Sequence, residues 1–170
     1  VLLALIGLAV ILLLSDATLV DRMTSIFTKM DTSSEMRLAF WESTIAMILD
    51  HPLLGIGWGS YFMVYPNYDY YMQGNFIKIV HAHNMYLNFM AEIGLFGFAS
   101  YMVCFFGVIY KAFKAHVMKL DILVKAMFLG IGLGLSALAL NGFTDYVMFN
   151  TELSMLVWLF SGIVVSGYKN

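Results

Sequence analysis

Apolar residues along this chain come in long uninterrupted blocks rather than in the mixed rhythm of a soluble domain. Residues 93–110 and 126–144 contain no charged side chain, and residues 153–168 form a slightly shorter run of the same kind. Uncharged runs of about 18 residues or more are long enough to cross a bilayer as helices. Residues 1–15 are also apolar, but they start without a Met or a basic flank. They show neither the positive region nor the cleavage site of a secretory signal. The pattern predicts a membrane helix cut short at residue 1, in the C-terminal part of a longer polytopic protein. The expected fold is an all-α integral membrane protein of about four membrane helices, the first truncated, with a large extracytoplasmic helical loop. Its segments are a partial helix over 1–15, the loop over 16–92, a helix over 93–113, and a basic connection over 114–125. A helix over 126–144, a short outer turn over 145–152 and a last helix over 153–170 follow.

The polar stretches between these blocks carry their own signals. Residues 16–31 are amphipathic and suit the membrane surface. Thr32-Ser33-Ser34-Glu35 reads as a capping box with Thr32 as N-cap. The helix it opens should run to about Asp50, because Pro52 disfavours helical geometry in the residue before it. Met36, Phe40, Met47 and Ile48 would form its buried side. Arg37 and Trp41, four apart, share a face. The run Gly55-Ile56-Gly57-Trp58-Gly59 could suggest a phosphate loop, but a dinucleotide fingerprint needs a strand before it. A helix precedes this one, so it is read as a turn. Tyrosines at 61, 65, 68, 70 and 71 fit either an interfacial belt or platforms for stacking on sugars. Gly130, Gly132 and Gly134 suggest close helix packing.

Composition sharpens this picture. Hydrophobic residues make up 61% and charged residues 12%, against about 25% charged in soluble proteins. The connection holding Lys111, Lys114, Lys119 and Lys125 is opposed only by Asp121. Short loops rich in Lys and Arg stay cytoplasmic, which places residues 16–92 on the outer side. Cys104 is a lone cysteine, which excludes a disulfide framework and a cysteine metal site within the chain.

Candidate chemistry gathers in Val80-His81-Ala82-His83-Asn84. On a helix His81 and His83 would diverge by about half a turn. With no third ligand near in sequence, no metal site and no cofactor is expected. Asn84 can cap the following helix. His83 would then stand where helix N–H groups and the helix dipole favour an anion. It could accept a proton there or donate a hydrogen bond to a phosphate.

The order of these residues resembles the O-antigen ligase and polymerase family of bacterial membrane proteins. The pattern is Arg37-x-x-x-Trp41, then Asp50-His51-Pro52-Leu53-Leu54-Gly55-Ile56-Gly57, then His83-Asn84-x-Tyr86-Leu87 and Glu92-x-Gly94. The resemblance implies a metal-independent membrane glycan transferase of the cytoplasmic membrane, with its large loop outside. The donor would be a glycan on undecaprenyl diphosphate, and the acceptor a sugar or lipid core. It implies catalytic roles for Arg37 and His83, with Trp41, His81, Asn84 and Tyr86 as substrate-binding candidates. The partners are the lipid-linked donor, the acceptor and the bilayer, with no nucleic acid. Arg37 would face the diphosphate, and His83 would take the acceptor proton. A polysaccharide polymerase of the same family is the alternative reading. A transporter would place ionisable groups at the membrane midplane. The apolar runs hold almost none, which favours the enzyme.

Overall fold

The computed structural model describes residues 32–69, 78–116, 118 and 121–167. The apolar run over 1–15 and the amphipathic stretch over 16–31 lie outside the described residues. The chain forms two units, Val1–Leu38 and Ala39–Asn170. Only the first turns of helix α1, Thr32–Asp50, are described in the first unit. The second unit is helical throughout its described residues, with turns and no strand.

Helix α1 starts at Thr32, although the expected side-chain cap of Thr32 lies outside the described residues. It stops at Asp50, ahead of the Pro52 ring, as X-Pro sterics require. Its buried stripe is Phe40, Ser43, Thr44 and Met47, the spacing of one helical face. Two of those positions are polar, which hid the stripe from the apolar pattern. Met36, expected to be inside, is exposed, and Ile48 is half-buried. Thr44 tolerates burial because its hydroxyl bonds the Phe40 carbonyl and lies 2.7 Å from the Tyr61 hydroxyl. Tyr61 opens the short helix α2, Tyr61–Val64, and Tyr65 the 3-10 turn Tyr65–Asn67. Both rings are buried and stacked with centroids 5.6 Å apart. They are core residues under α1, not an interfacial belt. Tyr70 and Tyr71 lie outside the described residues.

Helix α3, Met85–His116, is the long element, and it is broken once, at Gly94 (φ 64, ψ −174). In a continuous helix the carbonyls of Ala91 and Glu92 would accept from Leu95 and Phe96. Here they accept instead from the N–H groups of Ile56 and Gly57, both at 2.9 Å. Leu95 and Phe96 donate in turn to the carbonyls of Pro52 and Leu53, at 2.9 and 3.5 Å. The turn after α1 is thus spliced into the break and satisfies all four backbone groups. The contact admits no side chain. A Cβ on Gly55 would lie 2.5 Å from the Glu92 carbonyl, and one on Gly94 would lie 2.3 Å from the Leu53 oxygen. Both glycines also have positive φ. The glycine run is indeed a turn, and this is its purpose.

Beyond the break, α3 packs against α4, Ile122–Asn141, and α5, Thr151–Gly167. Asp121 caps α4 through the Leu123 N–H, and Asn150 caps α5 through the Leu153 N–H. Phe105, Phe128, Leu135, Val157 and Val164 form the shared core. Of the three glycines expected to pack helices closely, only Gly132 does so, against Ala112 and Phe113 of α3. A Cβ on Gly130 or Gly134 would meet nothing within 4 Å. Over Met85–Ala115 and Ile122–Asn141 the chain is long and apolar enough to cross a membrane, while α5 has 17 residues. Their outward faces stay apolar: Val103 is 74% and Leu140 71% exposed. Such surface is a liability in water and suits lipid.

Candidate functional site

The two histidines sit in the bend just before α3. Asn88, buried one turn into the helix, accepts the Ala82 N–H through Oδ1 at 3.0 Å. Asn84 is the helix cap that its position predicts: its Oδ1 accepts from Tyr86 N–H and Leu87 N–H, each at 3.0 Å. The Met85 N–H donates to the Gly142 carbonyl at 2.7 Å, and the Asn88 N–H to that of Asn84 at 3.0 Å. These bonds occupy every N–H of the first turn. The expected anion site at this helix start is therefore filled from within the chain, and a phosphate would have to be held by side chains instead.

The same bonds fasten the histidine bend to the turn between α4 and α5. The Asn84 side-chain amide donates to the Phe143 carbonyl at 2.9 Å. Next along that turn, Asp145 Oδ1 lies 3.3 Å from His83 Nδ1. His83 has φ 48, in a region that non-glycine residues seldom occupy and that costs on the order of 1–3 kcal/mol. Its ring stacks on Phe40, 5.8 Å between centroids. The His81 ring lies 4.2 Å from that of His83 and packs against Phe149 and Tyr146. Burial above all, and then the neighbouring His83, push the His81 imidazole below its ordinary 6.5, against an upward pull from Asp145. His81 is thus neutral at neutral pH.

Tyr146 and Phe149 are also walls of an open cavity of about 410 Å³, which Trp58, Phe62, Lys78 and Glu92 complete. Trp58 rests one face on Phe89, 5.6 Å between centroids, and is 66% exposed. The Lys78 ammonium lies 3.7 Å from the Phe62 ring centre. Glu92 is 4% exposed, and its Oε1 accepts the Tyr61 N–H at 3.4 Å. Aromatic faces beside a fixed carboxylate offer a pyranose ring both an apolar platform and a hydroxyl partner.

Residues 1–102 match the family described as O-antigen ligase. The chain belongs to the O-antigen ligase family. No curated protein and no solved structure matches it.

In this member of the O-antigen ligase family the expected site residues have separate fates. His81, His83 and Asn84 come together at the start of α3. The Tyr86 hydroxyl donates to the Ala139 carbonyl at 2.7 Å, and the Trp41 indole nitrogen is buried. Neither polar atom is offered to the cavity. Arg37 is half-buried on α1 in the first unit. Asp145, Tyr146 and Phe149 escaped the sequence reading, and the family match ends well before them. One signal was available: between Lys125 and Lys169 only Asp145 and Glu152 are charged.

Proposed function

We propose that this protein transfers a glycan from undecaprenyl diphosphate to a hydroxyl of an acceptor sugar or lipid core, at the outer face of the cytoplasmic membrane. The observation that carries this reading is the His83–Asp145 pair at 3.3 Å, in a family member where the neighbouring His81 packs on two walls of an aromatic cavity, Tyr146 and Phe149. With Nδ1–H held by the carboxylate, Nε2 is the nitrogen left to accept a proton. The acceptor oxygen then attacks the anomeric carbon and gives its proton to Nε2. The bond from that carbon to the phosphate oxygen breaks, and undecaprenyl diphosphate leaves. A single displacement of this kind inverts the anomeric configuration. Arg37 supplies a permanently charged fork for the diphosphate. The basic connection from Lys111 to Lys125 faces the cytoplasm, and the residues before α3 face outward. A growing glycan chain, the acceptor of a polymerase, is the alternative to the lipid core of a ligase.

The test uses full-length protein in liposomes with a defined lipid-diphosphate glycan and an acceptor, measuring donor binding and product separately. His83→Ala should bind donor normally while transfer falls by about two to four orders of magnitude. His83→Gln should be equally inactive, since an amide cannot take the proton. Substantial transfer by His83→Gln would remove His83 as the base.

A further inference from the structure

The sequence offers two reasons against a metal at the histidines, and neither holds in the folded chain. His81 and His83 precede the helix instead of diverging along it. A third group arrives from Asp145, 62 residues beyond His83. One donor atom from each of the three lies within 4.8 Å of the other two. We propose that His81, His83 and Asp145 form a binding site for a divalent transition-metal ion of the zinc class, and that its occupancy silences transfer.

Geometry supports the first half. Zinc bonds to nitrogen and oxygen are about 2.0–2.1 Å, so two donors of a tetrahedral ion stand roughly 3.3–3.4 Å apart. His83 Nδ1 and Asp145 Oδ1 already lie 3.3 Å apart. The His83 main-chain N–H donates to His81 Nδ1 at 3.3 Å, so this nitrogen carries a lone pair, held by a long bond that a metal ion would replace. Closing the widest gap needs a movement of roughly 1.4 Å, which an imidazole makes by turning about its side-chain bonds. Two imidazoles and one carboxylate suit zinc, copper or nickel, whereas magnesium and calcium prefer all-oxygen shells. The side chains of His83 and Asp145 are 38% and 52% exposed, so an ion can enter from solution and keep an open position. Phe40 behind His83, and Phe149 and Tyr146 beside His81, hold the rings near this arrangement. Among the described residues, the only ion-pair partner of Asp145 is His83 itself.

The second half rests on the transferase reading. A metal on Nδ1 of neutral His83 forces the ring proton onto Nε2. The nitrogen that would accept the acceptor's proton then has no lone pair to offer. Zinc is on this account an inhibitor, and catalysis proceeds without it.

The test begins with full-length protein in detergent, stripped with EDTA and dialysed. Zinc binding is followed by calorimetry, and cobalt serves as a visible-absorption probe of four-coordinate geometry. One saturable equivalent per chain is expected, weakened at least tenfold in both Asp145→Asn and His81→Ala. Unchanged affinity in both variants, or no saturable binding, would overturn the site. Zinc should lower wild-type transfer with a midpoint matching its binding. In each variant, measured against its own metal-free rate, inhibition should need at least tenfold more zinc. Zinc that binds without slowing transfer would overturn the silencing. Normal binding by a protein that transfers no glycan would defeat the transferase reading and leave the metal site standing. Transfer without saturable binding would do the reverse.

Discussion

The break at Gly94 and the histidine bend lie about three turns apart on one helix, yet they are built from opposite materials. At the break, the contact is made by main-chain atoms alone, and side chains are excluded by distance. At the bend, the first-turn N–H groups are all engaged, so any chemistry must come from side chains. Both regions lie within the residues matched by the family. The difference teaches that two regions within one family match can serve unlike ends: Gly55 and Gly94 permit a shape, whereas His83 presents an imidazole to Asp145.

The strongest way to break this comparison is Gly55→Val. A side chain there meets the Glu92 backbone in a left-handed conformation, at a cost on the order of 4 kcal/mol or more. Membrane accumulation and monodisperse elution should both be lost. Full accumulation of an inactive protein would mean that the glycine run is chemical after all. Arg37→Ala tests the other side: it should accumulate as wild type yet lose transfer, and its disappearance from the membrane would make Arg37 structural. Asp145→Asn is expected to lower kcat by about ten- to a hundredfold, short of the loss expected at His83. KM and melting temperature should be unchanged if the residue only aims His83. A drop in melting temperature matching the drop in rate would reduce Asp145 to a staple of the turn.

Two smaller effects sharpen the picture. Trp58→Ala should raise the KM for glycan by about three- to tenfold with kcat nearly intact, if the indole is a stacking platform. A kcat loss alone would sink that role. The least effect belongs to Tyr61, whose phenol is raised well above its ordinary 10.0, chiefly by burial. An unfolded chain gives up this proton first, so the stabilisation is complete below about pH 10 and is lost as pH rises further. Melting of the solubilised protein should decline more steeply above pH 10 in wild type than in Tyr61→Phe. Ionisation of every tyrosine near pH 10 in an ultraviolet titration would show that Tyr61 is not buried.

What could be read from the sequence was what is local. The stop at Asp50 follows from a proline two residues on, and the cap at Asn84 from its own side chain. Among the described residues, the apolar runs after residue 92 fall largely on the helices Met85–His116, Ile122–Asn141 and Thr151–Gly167. Whatever depends on distant partners was hidden. Tyr61 and Tyr65 have the composition of a membrane belt, but Thr44 and the α1 stripe draw them inside. Gly130 and Gly134 share the spacing of Gly132 without facing a neighbour. Asp145 acquires its meaning only when the α4–α5 turn meets the histidine bend, and no spacing rule reaches across 62 residues.

The splice at Gly94 also sets up a competition. Ala91, Glu92, Leu95 and Phe96 could satisfy one another in an unbroken helix, so the turn at residues 52–57 displaces a ladder the helix could make by itself. Two helical bonds are exchanged for four to the turn, and an unbroken helix would leave the Ile56 and Gly57 N–H groups and the Pro52 and Leu53 carbonyls to find other partners. The choice is left to the glycines, whose missing side chains let the turn come close enough to win. The direction in which the histidine bend faces along α3 is therefore set by the turn at the break together with the bend's own bonds to the α4–α5 turn.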